Sequence, residues 1–414
     1  MTRERIDLHA TSGRATTLAL ERLLCNIGDP VGGLHDIGPG HPEFNRAQTL
    51  RAAAGIIAKV PGTRPAIEQA VRAADRAAAS ERTRAHLAAA EAWLAGNPIL
   101  AAESYAFILT RWPKDLLALR LAESCYFFLG QHDRLGAVVD AVLSEWSERE
   151  DGFKYALAMA AFAHAENGNT ATAETLGRKA LLLNPSCPFG VHAMAHAIAG
   201  AGRPADAAQW MRDQSAQWAR DSGLRTHNAW HLAMFDIEAG NAASALDVLD
   251  TWLLPAASAS SLDACDATAL LWRLERSGVN VSPRWERISD AFERTVTPGF
   301  WPFIDLHAAL AHGTAARTDR ARGLAEAISR CVQGGDYAAL RARHITAPAL
   351  LALAAFAEGR YRESATVLVG LRPILGYAGG SRVQMDLFTG IEREAALRAK
   401  GVRSAPPEAP RKAA

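Results

Sequence analysis

A regular spacing of glycines is the feature of this 414-residue chain that most limits how it can fold. From about residue 82, seven glycines recur with gaps of 34, 38, 34, 38, 38 and 35 residues, and a later unit repeats the pattern around Gly359. The seven are Gly96, Gly130, Gly168, Gly202, Gly240, Gly278 and Gly313. Each closes one helix-length amphipathic segment and precedes another, and glycine readily adopts the left-handed turn between two such helices. The spacing therefore predicts a series of helical hairpins.

The residues around these glycines agree with closely packed helix pairs. Pro113 and Pro185 follow their turn glycines at the same interval, where a second helix would end. Alanine recurs at a fixed distance after four of the glycines, at Ala101, Ala173, Ala207 and Ala245. A period of roughly 34 residues with helix–turn–helix units is the tetratricopeptide signature. We therefore predict an all-α fold, an α-solenoid of tetratricopeptide-like hairpins forming a right-handed superhelix. The alternative is a set of unrelated helical hairpins with glycine turns.

Three segments are predicted along the chain. Residues 1–81 form an N-terminal helical cap, residues 82–400 the repeat array, and residues 401–414 a Pro/Ala-rich disordered tail. Residues 28–43 of the cap are rich in Gly and Pro and are expected not to be helical. The helices expected in the cap are about Ala15–Asn26, Arg46–Lys59 and Arg64–Ala79.

Composition and charge narrow the possible partners. Lys and Arg number 45 against 44 Asp and Glu, and a formal charge of +1 argues against nucleic acid or an anionic membrane surface. The chain has no apolar run long enough to span a bilayer, and its N-terminus lacks a secretory signal. Its five scattered cysteines, without a C-x-x-C motif, are typical of reduced thiols. We therefore expect a cytoplasmic protein whose partner is a small molecule, a peptide or another protein.

Four of the 13 histidines occur in two pairs, His192 with His196 and His227 with His231. The members of a pair are one helical turn apart, so both imidazoles lie on one helix face. Their neighbours are Ala, Met, Trp and Leu, which is unlike a solvated charged face. In tetratricopeptide proteins the first helix of each hairpin lines a concave groove. Counting back from the turn glycines places both pairs, and His307, at groove-facing positions. We therefore expect five histidines in one groove.

Residues 185–315 resemble the tetratricopeptide repeat protein 38 family. The matching segments, in the family's order, are VHAMAHAIAGAGRPADAAQWM, THNAWHLAMFDIEAGNAASALDVLD, DACDATALLWRLERSGVNVSPRW and FIDLHAALAH. The motif residues that the resemblance covers are His192, His196, His227, Trp230, His231, Asp266, Arg273, Asp305 and His307. The resemblance implies a soluble helical-repeat protein and implies no particular reaction. Asn228-Ala229 stands where human-like members have an aromatic residue, a departure that would change the mouth of the pocket.

Histidine and aspartate from facing helices suit a metal site, and imidazole binds Zn, Fe, Cu or Ni. The expected cofactor is therefore a divalent transition metal, with the five histidines as candidate ligands. The H-E-x-x-H motif is absent, because Ala193 and Asn228 stand where its Glu would be. The metal-free alternative is acid–base catalysis, with Asp266 or Asp305 orienting an imidazole. The candidate substrate-binding residues are Trp230, Trp272 and Arg273.

Two function classes therefore stay open. The first is a small-molecule-binding protein that uses the His/Asp groove, with or without catalysis. The second is a non-catalytic scaffold that binds a peptide or partner protein in the same groove. A single buried histidine is usually a packed residue with one hydrogen bond, and a tryptophan beside it is usually core. Grooves for acidic peptide ends usually offer Lys, Arg and Asn, whereas this one offers His, Trp and Asp, which favours the first class.

Overall fold

The structure, a computed structural model, describes residues 13–331 and 337–402. Within these ranges the chain is helical, with short 3-10 and π turns and one isolated antiparallel bridge between Ile27 and Ser222. This confirms the predicted all-α fold of tetratricopeptide-like hairpins. No helix within these ranges is both long and apolar enough to cross a bilayer. Almost all of the predicted tail lies outside the described residues, and the boundary between cap and array stays a prediction.

The helices are numbered in chain order. The first ten are α1 Arg14–Cys25, α2 Phe44–Ala58, α3 Arg64–Ala73, α4 Glu81–Leu94, α5 Pro98–Arg111, α6 Leu116–Leu129, α7 His132–Leu143, α8 Phe153–Glu166, α9 Thr170–Leu183 and α10 Pro188–Ala199. The next seven are α11 Pro204–Asp213, α12 Ser215–Trp218, α13 Arg225–Glu238, α14 Ala242–Val248, α15 Leu254–Ala257, α16 Ser261–Arg276 and α17 Ser282–Thr295. The last six are α18 Pro302–Thr314, α19 Thr318–Cys331, α20 Tyr337–Arg341, α21 Ala347–Ala357, α22 Tyr361–Leu371 and α23 Arg382–Ala399.

The first of two compact units comprises residues 13–126, 132–197 and 220–224. Helices α2 and α3, α4 and α5, and α8 and α9 pack as pairs. The turn glycines of the last two pairs, Gly96 and Gly168, have φ of +74° and +81°, as the spacing predicts. Ala101 and Ala173 are fully buried where the paired helices approach. Small side chains at these points let the helix backbones come close, and this is what the alanine pattern in the sequence encodes.

The second unit comprises residues 127–131, 198–219, 225–331 and 337–402. Helices α13 and α14, α16 and α17, α18 and α19, and α21 and α22 pack as pairs, and α23 packs on α22. Gly130 has φ of +67°, and a Cβ on it would overlap the carbonyl oxygen of Gly376. This position therefore needs glycine for two reasons, the left-handed backbone and the close approach of a second chain segment.

The predicted turn at Gly313 is wrong. Gly313 lies inside α18, and the left-handed residue is Ala316, with φ of +59°. A Cβ on Gly313 would lie 2.7 Å from the Cβ of Ala357 on α21. The glycine is therefore required by the contact between two helices, and sequence spacing alone does not distinguish this use from a turn.

The N-terminal segment departs from prediction in two places. Helix α3 ends at Ala73, earlier than predicted, because Asn45 holds the nearby Asp75 in a non-helical turn. The Asn45 amide donates to the Asp75 carbonyl at 2.9 Å, and the Asp75 N–H donates to the Asn45 side-chain oxygen at 2.8 Å. In the stretch 28–43, predicted to lack helix, Gly32–Leu34 forms one 3-10 turn.

Two helical stretches contain a π turn, at Leu249–Leu253 and at Ala342–Thr346. Each turn ends shortly before a proline, Pro255 or Pro348. Proline has no N–H to donate, and its ring clashes with the carbonyl one turn earlier. A π turn pairs each carbonyl with a donor one position further along, so it accommodates the proline without breaking the helix.

Candidate functional site

Helix α10 brings His192 and His196 together as predicted from their spacing, and we call them the α10 pair. Both are buried, their ring centroids are 4.6 Å apart and their planes cross at 79°. The two Nε2 atoms are 3.0 Å apart. At this distance they can share one proton in an N–H···N bond. Two imidazole nitrogens on one tetrahedral zinc ion lie about 3.3 Å apart, so little movement separates this arrangement from chelation.

A carboxylate from α8 backs the α10 pair. Oε1 of Glu166 lies 2.9 Å from Nδ1 of His196, and its Oε2 lies 3.6 Å from Nδ1 of His132. Glu166 is only 2% exposed, so its charge acts in a medium that screens it poorly. A carboxylate facing Nδ1 favours the tautomer that carries the proton there, so that Nε2 of His196 carries the lone pair that faces Nε2 of His192. Glu166 is not among the residues predicted from the sequence, because it lies on a different helix from its partner His196.

Aromatic rings pack against the α10 pair within the same unit. Phe162, one turn before Glu166 on α8, meets His196 edge-on with centroids 5.0 Å apart and lies 5.3 Å from His192. Phe189 lies 5.8 Å from His192. These rings restrict the imidazole orientations and keep the surroundings apolar. A charge or metal at Nε2 would therefore be stabilised mainly by the histidines and Glu166.

Helix α13 places His227 and His231 in the same way, and we call them the α13 pair. Their ring centroids are 4.7 Å apart, their planes cross at 79°, and each offers a ring nitrogen within 4.8 Å of the other. Trp230 stacks on His227 at 5.2 Å and meets His231 edge-on at 4.9 Å. Trp230 is fully buried, and its Nε1 has no hydrogen-bond partner among the described residues. It forms the wall behind both imidazoles.

Three side chains in series orient His227. Its Nδ1–H donates to Oδ2 of Asp266 at 2.7 Å, and the amide of Gln384 donates to Oδ1 of Asp266 at 3.0 Å. Gln384 is itself fixed at the start of α23, where its oxygen accepts from the backbone N–H of Ser381 at 3.1 Å. The capping box therefore positions the amide of Gln384, and this amide positions the carboxylate of Asp266. The carboxylate in turn fixes the tautomer in which Nε2 of His227 carries the lone pair.

A second carboxylate lies beside Asp266. Asp263 is one turn earlier on α16, and burial together with the charge of Asp266 raises its pKa to about 6, against the opposing effects of Ser260 and His227. With a pKa of about 6, Asp263 is ionised at neutral pH, and its charge adds to the negative potential around His227. The surroundings of His227 therefore favour a bound cation.

The structure does not bring His307 to the α13 pair. The nitrogens within 4.8 Å of one another include those of His227 and His231 but not that of His307. Its Nδ1–H donates to the carbonyl oxygen of Phe303 at 2.7 Å, and its ring packs against Phe303 and Phe388. Burial lowers the pKa of His307 to about 4. Its imidazole is therefore neutral at neutral pH, and its role as a ligand stays a prediction.

Asp305 has a backbone N–H as its hydrogen-bond partner. Its two oxygens accept from the N–H of Gly299 at 3.2 and 3.3 Å, and its side chain is fully buried. Burial raises the pKa of Asp305 to about 8, although the charge of Arg341 opposes the shift. Asp305 thus holds the loop before α18, and the expectation that it orients a histidine stays a prediction.

Trp272 and Arg273 both connect α16 to α23. A Cβ on Gly390 would lie 2.6 Å from the Trp272 ring, so the indole fits where α23 has no side chain. Arg273 donates to the carbonyl oxygens of Ala269 at 3.0 Å and Val383 at 3.3 Å, and burial lowers its pKa to about 10. Both side chains therefore help to hold the helix that carries Gln384, and their role in substrate binding stays a prediction.

Cys265, next to Asp266 in the chain, is fully buried. Burial raises its pKa well above the ordinary value, and the neighbouring carboxylates raise it further. The side chain is therefore a neutral thiol at neutral pH and not an activated nucleophile.

No family model matches the chain. Three solved structures have a similar arrangement of helices. The human IFIT1 dimer with m7Gppp-AAAA is 13% identical, with 95% of this chain and 88% of that chain covered and a TM-score of 0.47. The human IFIT1 dimer with PPP-AAAA is 13% identical, with 95% and 87% covered and a TM-score of 0.46. A monomeric IFIT1 mutant with Gppp-AAAA is 13% identical, with 95% and 89% covered and a TM-score of 0.46. At this identity the likeness concerns the helical-repeat fold alone.

These structures overturn one expectation from the sequence. The balanced charge of the chain was expected to exclude nucleic acid as a partner. The IFIT1 structures of the same fold class hold m7Gppp-AAAA or PPP-AAAA. The exclusion is therefore wrong, because a formal charge near zero summed over a helical-repeat chain does not describe the charge of any one surface.

Proposed function

We propose that this protein is a tetratricopeptide-like helical-repeat protein that binds a divalent transition metal through its histidine pairs. The observation that carries the proposal is common to both pairs. In each, one imidazole turns Nδ1 towards a buried carboxylate, His196 towards Glu166 at 2.9 Å and His227 towards Asp266 at 2.7 Å. In each, a second imidazole lies one turn away on the same helix.

This arrangement is the one that metal-binding histidines use. A ligating histidine donates its other N–H to a carboxylate, which fixes the ring and makes the ligand nitrogen more basic. A structural role requires less, because one hydrogen bond satisfies a packed imidazole.

We also propose a family for the chain and a class of ligand for the metal. Both pairs lie within the segments that resemble the tetratricopeptide repeat protein 38 family, and we assign the chain to that family as part of the proposal, with a cytoplasmic location. Two protein ligands leave coordination positions open, and an open position on such a metal accepts a small molecule. That both pairs face one groove stays a prediction from the sequence.

The test is a metal titration of untagged protein with Zn²⁺, Ni²⁺, Cu²⁺ and Co²⁺, combined with elemental analysis. We expect His196→Ala and His231→Ala each to reduce binding while the protein stays folded. His86→Ala is the matched control, because His86 is buried and lies 2.8 Å from a carboxylate oxygen of Asp115 but has no histidine one turn away. No binding by the unaltered protein, or equal losses in His86→Ala, would contradict the proposal and favour the peptide-binding scaffold.

A further inference from the structure

A surface cavity of about 650 Å³ lies between the start of α22 and the end of α23 in the second unit. This volume is within the usual range of small-molecule sites, roughly 300–1,000 Å³. Three arginines, Arg360, Arg362 and Arg398, line the cavity together with one acidic residue, Glu363. None of the lining residues belongs to the α10 pair or the α13 pair, so a ligand here would be independent of the proposed metal.

The ion pairs around the cavity leave positive charge unmatched. Arginines hold every glutamate in this network, through the pairs Arg398–Glu394, Arg276–Glu394, Arg322–Glu358, Arg360–Glu358 and Arg360–Glu363. The exposed guanidinium of Arg362 forms no ion pair with the described residues. Five arginines therefore meet three glutamates, and the network carries an excess of two positive charges.

Tyr361 adds a hydrogen-bond donor to the same cavity. Its hydroxyl oxygen accepts from Nη1 of Arg398 at 3.1 Å, so the O–H proton is directed away from this guanidinium and can be donated to a ligand. The guanidinium also lies over the Tyr361 ring, 5.3 Å from its centroid, and this contact helps to hold the ring in place. A ligand in the cavity therefore meets N–H donors from Arg362 and an O–H donor from Tyr361. Such donors, beside an excess of positive charge, favour an anion.

We propose that this cavity binds a small phosphate monoester. The phosphate of such an ester carries about 1.5 to 2 negative charges at pH 7 and offers three acceptor oxygens. Its charge is close to the excess of positive charge in the network, whereas a carboxylate supplies a single negative charge. The planar guanidinium of Arg362 can donate two parallel hydrogen bonds to two of the oxygens, and Tyr361 can donate to the third.

The remaining surface of the cavity favours an ester over free phosphate. A phosphate group alone fills only part of the volume, and Val367 and the Tyr361 ring also line the cavity and offer apolar surface. An apolar or aromatic group attached to the phosphate would cover this surface and remove it from water, which stabilises the complex. We therefore expect an ester with a compact apolar part to bind more tightly than inorganic phosphate.

Isothermal titration calorimetry of the unaltered full chain compares phenyl phosphate, benzoate and inorganic phosphate. We expect phenyl phosphate to bind with the highest affinity. Benzoate has the same ring with one negative charge, and inorganic phosphate has the charge without the ring, so each should bind at least about tenfold more weakly. Absence of phenyl phosphate binding, or equal affinity for benzoate or inorganic phosphate, would overturn the proposal.

Variants at Arg362 and Tyr361 test where the ester binds. Arg362→Ala should weaken phenyl phosphate binding by about 10- to 100-fold, because it removes a charged donor. Tyr361→Phe keeps the ring and removes the O–H donor, so its loss should be about 3- to 10-fold. Arg362→Lys keeps the charge without the planar fork, and its loss should be smaller than that of Arg362→Ala.

Arg294→Ala is the matched control. Arg294 on α17 is also an exposed arginine without an ion pair to the described residues, but it does not line the cavity. We expect its affinity for phenyl phosphate to equal that of the unaltered protein. An unchanged affinity in Arg362→Ala, or an equal loss in Arg294→Ala, would show that the ester binds elsewhere and would overturn the proposal. Circular dichroism checks that each variant is folded, and the titrations of the unaltered protein do not depend on the variants.

Discussion

The α10 pair and the α13 pair have nearly identical internal geometry but different support. The ring centroids are 4.6 and 4.7 Å apart, and both ring planes cross at 79°. In the α10 pair the carboxylate of Glu166 faces the second histidine of the pair, and it also lies near His132. In the α13 pair the carboxylate of Asp266 accepts a hydrogen bond from the first histidine, and Gln384 braces it.

The comparison shows that one helix sets the geometry between the two imidazoles, whereas neighbouring helices set the orientation and charge around them. A spacing of one helical turn fixes how two imidazoles face each other, whichever helix carries them. Orientation of one ring and the charge around it come from other helices. The α13 pair has two nearby carboxylates, Asp266 and Asp263, whereas Glu166 is the carboxylate that contacts the α10 pair. We therefore expect the α13 pair to hold a divalent cation more tightly.

Removing each pair should give the largest effect. We expect His227→Ala with His231→Ala to lower affinity for the metal by more than about 100-fold, more than loss of a supporting carboxylate does. His192→Ala with His196→Ala should also lower the metal affinity, but by a smaller factor, because fewer carboxylates surround the α10 pair. Calorimetric titration gives both affinity and stoichiometry. If each double variant loses one of two bound metal equivalents, the two pairs are separate sites. If each loses all binding, the pairs share one site. If neither loses binding, the comparison is contradicted.

His307 extends the comparison to a histidine outside the pairs. Its pKa is lowered to about 4 by burial, so the folded protein disfavours protonation there. Its contribution to stability is present above the unfolded pKa near 6.5 and is lost as the pH falls towards 4, amounting to about 3 kcal/mol. Urea unfolding at pH 7 and pH 4 should show this loss, and His307→Leu should reduce it. An unchanged pH dependence in the variant would show that His307 is not the buried neutral group.

The supporting carboxylates should give intermediate effects. Glu166→Gln and Asp266→Asn keep the shape of each side chain and remove its charge, so metal affinity should fall by roughly 10–100-fold. The larger loss is expected for Asp266→Asn, because its contact with His227 is a hydrogen bond within a braced series. Competition with a coloured chelator measures both. If Glu166→Gln has the larger effect, burial matters more than hydrogen-bond geometry.

Substitutions of Gln384 should have the smallest effect on metal affinity. They separate its two roles, the capping of α23 and the hydrogen bond to Asp266. Gln384→Ala removes the capping box of α23 and should cost about 1 kcal/mol of stability, with a loss of metal affinity below about tenfold. Gln384→Glu keeps an acceptor for the Ser381 N–H but places a second negative charge beside Asp266. Its stability should fall at high pH and recover as the pH is lowered. Chemical unfolding at several pH values measures this trend, and a free energy of unfolding that does not change with pH in the variant would contradict the prediction.

The sequence predicted the parts of the structure that depend on local chemistry. Left-handed turns need glycine, so Gly96 and Gly168 were placed correctly from their spacing. Gly313 was misplaced because its contact, Ala357, belongs to a helix much later in the chain. Gln384 was not predicted for the same reason, because its partner Asp266 is 118 residues away in the sequence. Spacing gives the two imidazoles of a pair, but their partners on other helices become visible only when the chain is folded.

The two π turns affect how the repeats of this chain should be aligned with one another. A π turn closes its hydrogen bond over one position more than an α turn, so it absorbs a single-residue insertion inside a helix instead of in a loop. An alignment that assigns every length difference to the inter-helix turns would rotate each later position by about 100° around the helix axis. Helix α21, which follows the π turn at Ala342–Thr346, is therefore best aligned from Pro348 onward.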